Sequence, residues 1–208
     1  MGNMKIVLTD AGKRFNRDWI FRRATCAFEQ GKSYAITGPN GSGKSTLLQV
    51  IAGSMNPSEG KVDYSRDGNI ISSEQVFREL AIAAPYLEII EEMTAREFLT
   101  FHSSFKPFIN GLSVDQALDI VNLSGAADKQ IRYYSSGMKQ RVKLAQAIFP
   151  DLPIVLLDEP CTNLDVSGYE LYYDLLHTYC KDKLVIVCSN DPQEYRFCSE
   201  VLSISDYK

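Results

Sequence analysis

The sequence predicts an α/β fold, on the basis of two observations about its apolar segments. Runs rich in β-branched residues alternate with helical patterns, as in 153–160 (PIVLLDEP), 166–180 (VSGYELYYDLLHTYC) and 183–191 (KLVIVCSND). Strands that alternate with helices in this way form a mostly parallel sheet with helices on both faces. The run 153–160 is continuously apolar before its two acids, which is typical of a strand buried on both faces.

The same patterns place the remaining elements of this core. The predicted strands before residue 40 and at the end of the chain lie at 5–9, 24–28, 33–37 and 201–205. The predicted helices lie at 47–52, closed by Gly53, at 135–149 and at 166–180. A polar turn separates the first two strands, and the fold that we expect includes antiparallel β edge strands.

Between about residues 94 and 125 the pattern is helical instead. Two segments of this region begin with good N-cap residues, Thr94 and Ser113. We therefore expect a helical lobe inserted into the sheet domain. The predicted organisation is one domain, 1–208, with an α/β core of 1–85 and 136–208 and a helical lobe of about 86–135.

The composition bounds the class of protein. The chain has 208 residues and 45% hydrophobic content, enough for one large domain. Its net charge is −4 and its pI about 5.3, which argues against a nucleic-acid surface. A basic cluster at 13–23 alternates with aromatics, and a solvated loop and strand edge is favoured there over nucleic-acid binding. We expect no nucleic-acid partner.

Targeting and redox signals are few. Five scattered cysteines have no metal-ligand spacing with the two histidines, which predicts a reduced, cytoplasmic setting. No apolar run reaches the ~20 residues needed to span a bilayer. The N-terminus lacks the apolar core of a signal peptide. We expect a soluble protein.

The segment 38–45 carries the clearest chemical motif. It fits the pattern Gly-x-x-x-x-Gly-Lys-Ser, with Gly38, Gly43, Lys44 and Ser45 at the fixed positions. The glycines let the backbone curl so that its N–H groups converge on an anion. The lysine adds a charge that reaches the outer phosphates, and the serine offers a hydroxyl to Mg²⁺. A strand before the loop and a helix after it predict a phosphate-loop NTPase core.

Two adjacent acids predict the second half of the site. Asp158 and Glu159 close a buried strand, and ligands of a parallel sheet sit at the carboxyl ends of its strands. The aspartate would hold Mg²⁺ through water, opposite Ser45. The glutamate would orient or deprotonate an attacking water. The alternative is two acids that merely end a strand before Pro160.

Three motifs together resemble the ATP-binding-cassette (ABC) ATPase family. They are 38–47 (GPNGSGKSTL), 134–141 (YSSGMKQR) and 156–165 (LLDEPCTNLD), in that family's order and with its spacing. The resemblance extends from about Lys5 to Ser205. It implies that ATP and Mg²⁺ are bound, with Mg²⁺ on Ser45 and Asp158 and ATP on Gly38, Pro39, Asn40, Gly41, Ser42, Gly43, Lys44, Ser45 and Thr46.

The middle motif implies a dimer. Ser135, Ser136 and Gly137 begin a helix, so they combine hydroxyls, free N–H groups and a positive dipole end. The resemblance implies that they face the γ-phosphate of an ATP held by the other subunit of a homodimer or heterodimer. The stretch 162–165 resembles the family's loop at that dimer seam. Phe15 is the expected platform for adenine, with Trp19 as a competitor and a plain core role as the alternative.

Two positions depart from the family pattern. The usual Gln at the entry to the lobe is replaced by Tyr86, or by Pro85 if the alignment shifts by one, and Glu88 is a further substitute. The usual His after a core strand is replaced by Asn190, which donates a hydrogen bond but carries no proton. Since Glu159 is retained, we expect a slow ATPase or one that needs a partner.

The resemblance implies the nucleotide-binding subunit of a transporter. We expect it to drive a separate membrane subunit, with an export type favoured by "GMKQR" (137–141), and to lie in the cytoplasm, peripheral to the inner face of the membrane. One alternative is a soluble ABC protein outside transport. Another is an ATP-gated switch with little turnover, which the two departures favour.

Overall fold

The computed structural model describes residues 3–208 and contains two β-sheets. The larger sheet has five strands, which in spatial order are β6 (Leu80–Ala83), β7 (Ile154–Asp158), β8 (Leu184–Cys188), β3 (Ser33–Thr37) and β9 (Glu200–Ser203). All neighbours in this sheet pair in parallel. The predicted α/β fold with a mostly parallel sheet is therefore confirmed.

The smaller sheet is antiparallel and separate from the first. Its strands, in spatial order, are β2 (Asp18–Glu29), β1 (Met4–Phe15), β4 (Glu59–Arg66) and β5 (Asn69–Ile71). The strands expected at 5–9 and 24–28 are thus correct in place but extend to 12 residues each. Register shifts between Leu8 and Arg14 break the alternation of side chains, which hid the full strand length from the sequence pattern. The antiparallel strands form their own sheet instead of edges of the parallel one.

Six α-helices connect or cover these strands within residues 3–208. They are α1 (Lys44–Ile51), α2 (Ala95–Phe105), α3 (Val114–Ile120), α4 (Ser136–Ile148), α5 (Val166–Tyr179) and α6 (Pro192–Tyr195). The first begins at Lys44, directly after the phosphate loop, and not at Leu47 as expected. Gly53 follows its end with a φ of +71°, so the predicted glycine stop is confirmed.

The helices α2 and α3 begin where the sequence predicted. The Thr94 hydroxyl accepts a hydrogen bond from the Glu97 N–H at 3.1 Å, and the Glu97 carboxylate accepts one from the Thr94 N–H at 2.8 Å. Ser113 and Gln116 form the same reciprocal pair at the start of α3. Both predicted N-caps are confirmed as capping boxes.

Strands β7 and β8 separate two apolar clusters. Val155, Leu157 and Val187 belong to the cluster that packs against α2 to α5. Ile154 and Leu156 belong to the other cluster, which contains α1 and the inner face of the antiparallel sheet. Successive side chains of a strand point to opposite faces, so strands covered on both sides need the continuous apolar runs observed here.

No helix among residues 3–208 is both long and apolar enough to cross a membrane.

The five cysteines of this part of the chain are free thiols. Burial raises the pKa of Cys26 and of Cys180 to about 11, which keeps both thiols protonated at neutral pH. Cys180 is buried, and Cys26 is partly exposed on β2.

The capping box of α2 yields a stability prediction. Thr94→Ala leaves the Glu97 N–H at the start of the helix without its acceptor, which costs about 1 kcal/mol. In a chain of this size we expect the melting temperature to fall by about 2–4 °C. Thr100→Ala, an exposed change within the same helix, is the matched control and should leave stability almost unchanged. Equal effects of the two variants in thermal or urea unfolding would contradict the role of the cap.

Candidate active site

The phosphate loop, residues 38–43, connects β3 to α1. Gly38 and Gly43 have φ values of +147° and +102°, in the region that favours glycine. A Cβ atom on Gly43 would lie 2.3 Å from Cγ2 of Ile20, and one on Gly38 would lie 2.7 Å from Cγ2 of Ile204. Both glycines are thus required by backbone shape and by close packing, and the loop takes the curled form that the motif predicts.

Lys44 folds back over this loop. Its side chain is 5% exposed, and its ammonium donates to the carbonyl oxygens of Gly38 at 2.8 Å and Pro39 at 3.3 Å. The positive charge therefore lies inside the curl of the loop, where backbone N–H groups and the start of α1 also favour an anion. This location agrees with the predicted contact between the lysine and a phosphate.

Asp158 ends β7 as a buried carboxylate. It is 2% exposed, and its Oδ2 atom has no hydrogen-bond partner among residues 3–208. Burial raises the pKa of this carboxyl, the Ser45 hydroxyl beside it acts in the opposite direction, and the Glu159 charge raises it further. A buried carboxylate that lies beside a serine hydroxyl and has one unpartnered oxygen is a donor set that suits Mg²⁺. The residues present therefore fit the predicted metal.

Glu159 turns the chain sharply out of β7. Its φ is +45°, which is strained for a residue with a Cβ. The turn is held by its N–H, which donates to the Cys188 carbonyl at 2.9 Å, and by its carbonyl, which accepts from the Thr162 hydroxyl at 2.9 Å. The predicted base therefore occupies a fixed turn at the carboxyl edge of the parallel sheet.

Asn190 follows β8 and reaches the phosphate loop. Its side-chain amide donates to Oδ1 of Asn40 at 3.1 Å. The residue at the expected His position is therefore placed against the loop predicted to hold the phosphates. Its side chain is neutral, so it offers a hydrogen bond there and no cation.

Tyr86, of the three candidates for the missing Gln, lies near the predicted metal site. Its ring is 42% exposed, and its phenol contacts Gln49 of α1. Burial and then the charge of Asp158 raise the pKa of this phenol, so it stays protonated at neutral pH. Glu88 instead faces the ammonium of Lys143 on α4: burial lowers the pKa of that lysine, and the charge of Glu88 partly opposes the shift.

Phe15 is the more open of the two aromatic candidates. It is 47% exposed, which excludes the core role, and the Lys13 ammonium lies 5.5 Å from its ring centre. The Trp19 ring is covered by the Arg22 guanidinium at 4.2 Å, and that guanidinium is fixed by two 2.9 Å hydrogen bonds to Glu59. A planar ligand therefore finds a freer face on Phe15.

The helix start at 135–137 lines a cleft of its own. The Ser135 hydroxyl caps α4 by accepting from the Met138 N–H at 3.2 Å. A Cβ on Gly137 would lie 3.0 Å from the Asn163 carbonyl oxygen, so the loop 162–165 packs closely on this helix start. The cleft measures ≈ 340 Å³, and no residue of the segment 38–46 lines it. Ser135, Ser136 and Gly137 are therefore not brought onto the phosphate loop of their own chain.

Two residues that make contacts at the phosphate loop and α1 belong to none of the sequence motifs. Gln49 contacts the Tyr86 phenol, and the Lys208 ammonium donates to the carbonyl oxygen of Ser42 at 2.8 Å. Sequence reasoning missed both residues. No local pattern marks them, because each meets the site only through folding of the whole chain.

Comparison with known proteins agrees with this geometry. Residues 21–162 match the ABC transporter family. Two similar proteins are both described as the cytochrome c biogenesis ATP-binding export protein CcmA. The one from Agrobacterium fabrum is 30% identical over 194 residues, which cover 91% of this chain and 90% of that protein. The one from Rhizobium meliloti is 32% identical over 194 residues, which cover 91% of this chain and 92% of that protein.

Among solved structures, a putative ABC transporter ATP-binding protein from Pyrococcus furiosus shares the fold. Its TM-score is 0.83 at 23% identity, with 98% of this chain and 99% of that chain covered. An ATP-bound bacterial Atm1-family ABC exporter has a TM-score of 0.81 at 20% identity, with 97% of this chain and 37% of that chain covered. By its sequence match and its geometry, this chain belongs to the ABC transporter family, as an ATP-binding subunit.

Proposed function

We propose that the chain hydrolyses ATP as a subunit of an export-type ABC transporter. The observation that carries this is the meeting of the phosphate loop, the Asp158–Glu159 turn and Asn190 at the carboxyl edge of one parallel sheet. The export direction is supported by the two relatives that are described as export proteins. Cargo would be selected by a separate membrane subunit.

Each part of the site has a proposed task in hydrolysis. Lys44 and the loop N–H groups hold the phosphates, and Ser45 and Asp158 hold Mg²⁺, which neutralises charge on the outer phosphates. Glu159 orients or deprotonates the attacking water, and Phe15 stacks on adenine. The full set proposed to contact ATP in its own chain is Phe15, Gly38, Pro39, Asn40, Gly41, Ser42, Gly43, Lys44, Ser45 and Thr46.

We propose that turnover is slow or depends on a partner. Asn190 donates to a phosphate but cannot take up a proton, and a positioned acid–base group is worth about 10²–10⁴-fold in rate. Tyr86 is held protonated beside Asp158, so it offers a neutral phenol where a Gln amide is usual. The same two neutral groups favour the second candidate function, an ATP-gated switch with little turnover.

We propose that the working form is a homodimer or a heterodimer. The cleft at Ser135, Ser136 and Gly137 combines two serine hydroxyls with a helix start, which favours an anion, and it lies apart from the phosphate loop of its own chain. A head-to-tail pair of chains would bring each such cleft onto the ATP of the other. Two Mg-ATP molecules would then be enclosed between the chains.

We propose that the helical lobe, about 86–135, contacts the membrane subunit. Phe101 and Phe105 pack edge to face at 5.1 Å on α2 and are both largely exposed. Leu87 and Ile90, in the segment that leads from β6 to the lobe, are exposed as well. Exposed apolar side chains of this size indicate a contact surface. The subunit would then lie in the cytoplasm, on the inner face of the membrane.

The hydrolysis proposal is tested by Glu159→Gln. We expect phosphate release from Mg-ATP by the unmodified chain to rise more than linearly with protein concentration, because two chains complete each site. The variant should lose about 100-fold or more of that rate, since the amide cannot accept a proton. It should still bind ATP and accumulate as a dimer in size-exclusion chromatography.

The matched control is Glu74→Gln, the same chemical change at an exposed loop position. It should keep the rate of the unmodified chain. A rate of phosphate release that rises only linearly with protein concentration would contradict the proposed dimer. Equal rates for Glu159→Gln and the control would contradict the proposed base.

The proposal of slow turnover is tested by Asn190→His. An imidazole in place of the amide can both contact a phosphate and carry a proton, so we expect kcat to rise by about 10-fold or more. Asn69→His, on the exposed strand β5, is the control and should not change the rate. An unchanged or lower kcat for Asn190→His would show that Asn190 does not limit hydrolysis.

A further inference from the structure

Glu194 is a buried carboxyl that no motif explains. It lies on α6, is 4% exposed, and has one oxygen, Oε2, without a hydrogen-bond partner among residues 3–208. Burial raises the pKa of this carboxyl, which shows that its surroundings disfavour the charge. A buried carboxyl with an unpaired oxygen lowers the stability of the fold. Its presence therefore indicates that its contacts serve another purpose.

The contacts of Glu194 join the two chain segments that carry the proposed reaction. Its Oε1 accepts from the N–H of Cys161 at 2.8 Å, and Cys161 lies two residues after Glu159. The Ser189 hydroxyl lies against the same carboxyl, and Ser189 directly precedes Asn190. One side chain therefore contacts both the loop that follows β7 and the segment that follows β8.

We propose that Glu194 is a positioning residue for ATP hydrolysis. By accepting from the Cys161 N–H while its carboxyl lies against the Ser189 hydroxyl, it fixes the segment that carries Glu159 relative to the segment that carries Asn190. The inference rests on the proposed ATPase function, and it assigns a task to a residue outside all three motifs.

The geometry makes this carboxyl hard to replace. Within residues 3–208, its Oε1 is the acceptor for the Cys161 N–H, and the backbone around Cys161 supplies no other. A second link, from the Tyr169 hydroxyl to Oδ2 of Asp191 at 2.9 Å, joins α5 to the segment after β8, farther from Glu159. Without the carboxyl, the buried N–H is left unpaired, and the turn at Glu159 keeps only its hydrogen bonds to the Cys188 carbonyl and the Thr162 hydroxyl.

The test uses two variants of Glu194 and one of its neighbour. In Glu194→Ala we expect kcat to fall by about 10-fold or more, because a displacement of ~1 Å at a reacting group costs up to about 10²-fold. The KM for ATP should stay within about twofold, since the phosphate loop is untouched. Glu194→Gln should restore most of the rate, because its amide oxygen accepts from Cys161 N–H and its amide N–H donates to Ser189.

Tyr172→Phe is the matched control. The Tyr172 hydroxyl donates to the main-chain carbonyl of Glu194 at 2.9 Å, so this variant loosens α6 without touching the carboxyl. Its kcat should remain close to that of the unmodified chain. Equal losses in Tyr172→Phe and Glu194→Ala, no rescue by Glu194→Gln, or a change in KM alone would each overturn the proposal.

Hydrogen–deuterium exchange separates this proposal from the proposed function. Peptides that cover 159–165 should exchange faster in Glu194→Ala, and at the unmodified rate in Glu194→Gln and Tyr172→Phe. An unmodified chain that binds ATP without releasing phosphate favours the ATP-gated switch over hydrolysis by the chain alone, and it removes the positioning task of Glu194 in that hydrolysis. Unchanged exchange in Glu194→Ala contradicts the positioning contact itself, whatever the turnover.

Discussion

The buried carboxylate of Asp158 is the constraint around which the site is built. The continuous apolar strand β7 carries it to the edge of the sheet, where it is 2% exposed and one oxygen lacks a partner. An isolated carboxylate in such a place is destabilising, so the fold alone does not account for it. Lys44 and Ser45 lie beside it and supply the charge and the hydroxyl of the proposed Mg-ATP site.

The other functional segments converge on this point because the sheet is parallel. Its strands end at one edge, so the turn at Glu159 and the segment at Asn190 emerge next to the phosphate loop. Hydrogen bonds then fix their spacing, from Asn190 to Asn40 and from Cys161 to Glu194. At the usual His position the site has Asn190, whose amide cannot take up a proton, and at the usual Gln position it has the phenol of Tyr86, and these two changes are the physical basis of the proposed slow turnover.

Local patterns predicted much of this arrangement, and long-range contacts account for what they missed. The phosphate loop and the caps at Thr94 and Ser113 depend on a few neighbouring residues, so their sequence signals are complete. The antiparallel sheet was foreseen only in fragments, because bulges in β1 interrupt its alternation. The position of Tyr86 near Asp158 and the proposed role of Glu194 depend on contacts between distant segments, which composition and spacing do not report.

The central claim is that Asp158 is kept for Mg-ATP at the expense of stability, and thermal unfolding of Asp158→Asn tests it directly. Since burial raises the folded-state pKa, the ionised group lowers stability at neutral pH. We expect the variant to melt above the unmodified chain without nucleotide, because the amide removes the buried charge. Saturating Mg-ATP should reverse this order. A concentration of Mg-ATP 100 times Kd adds about 2.7 kcal/mol to the free energy of unfolding, and only the unmodified chain is expected to bind it. The control is Asp174→Asn, the same change at an exposed position, and its melting temperature should equal that of the unmodified chain with and without Mg-ATP. A variant that melts lower without nucleotide, or gains as much from Mg-ATP, would contradict the account.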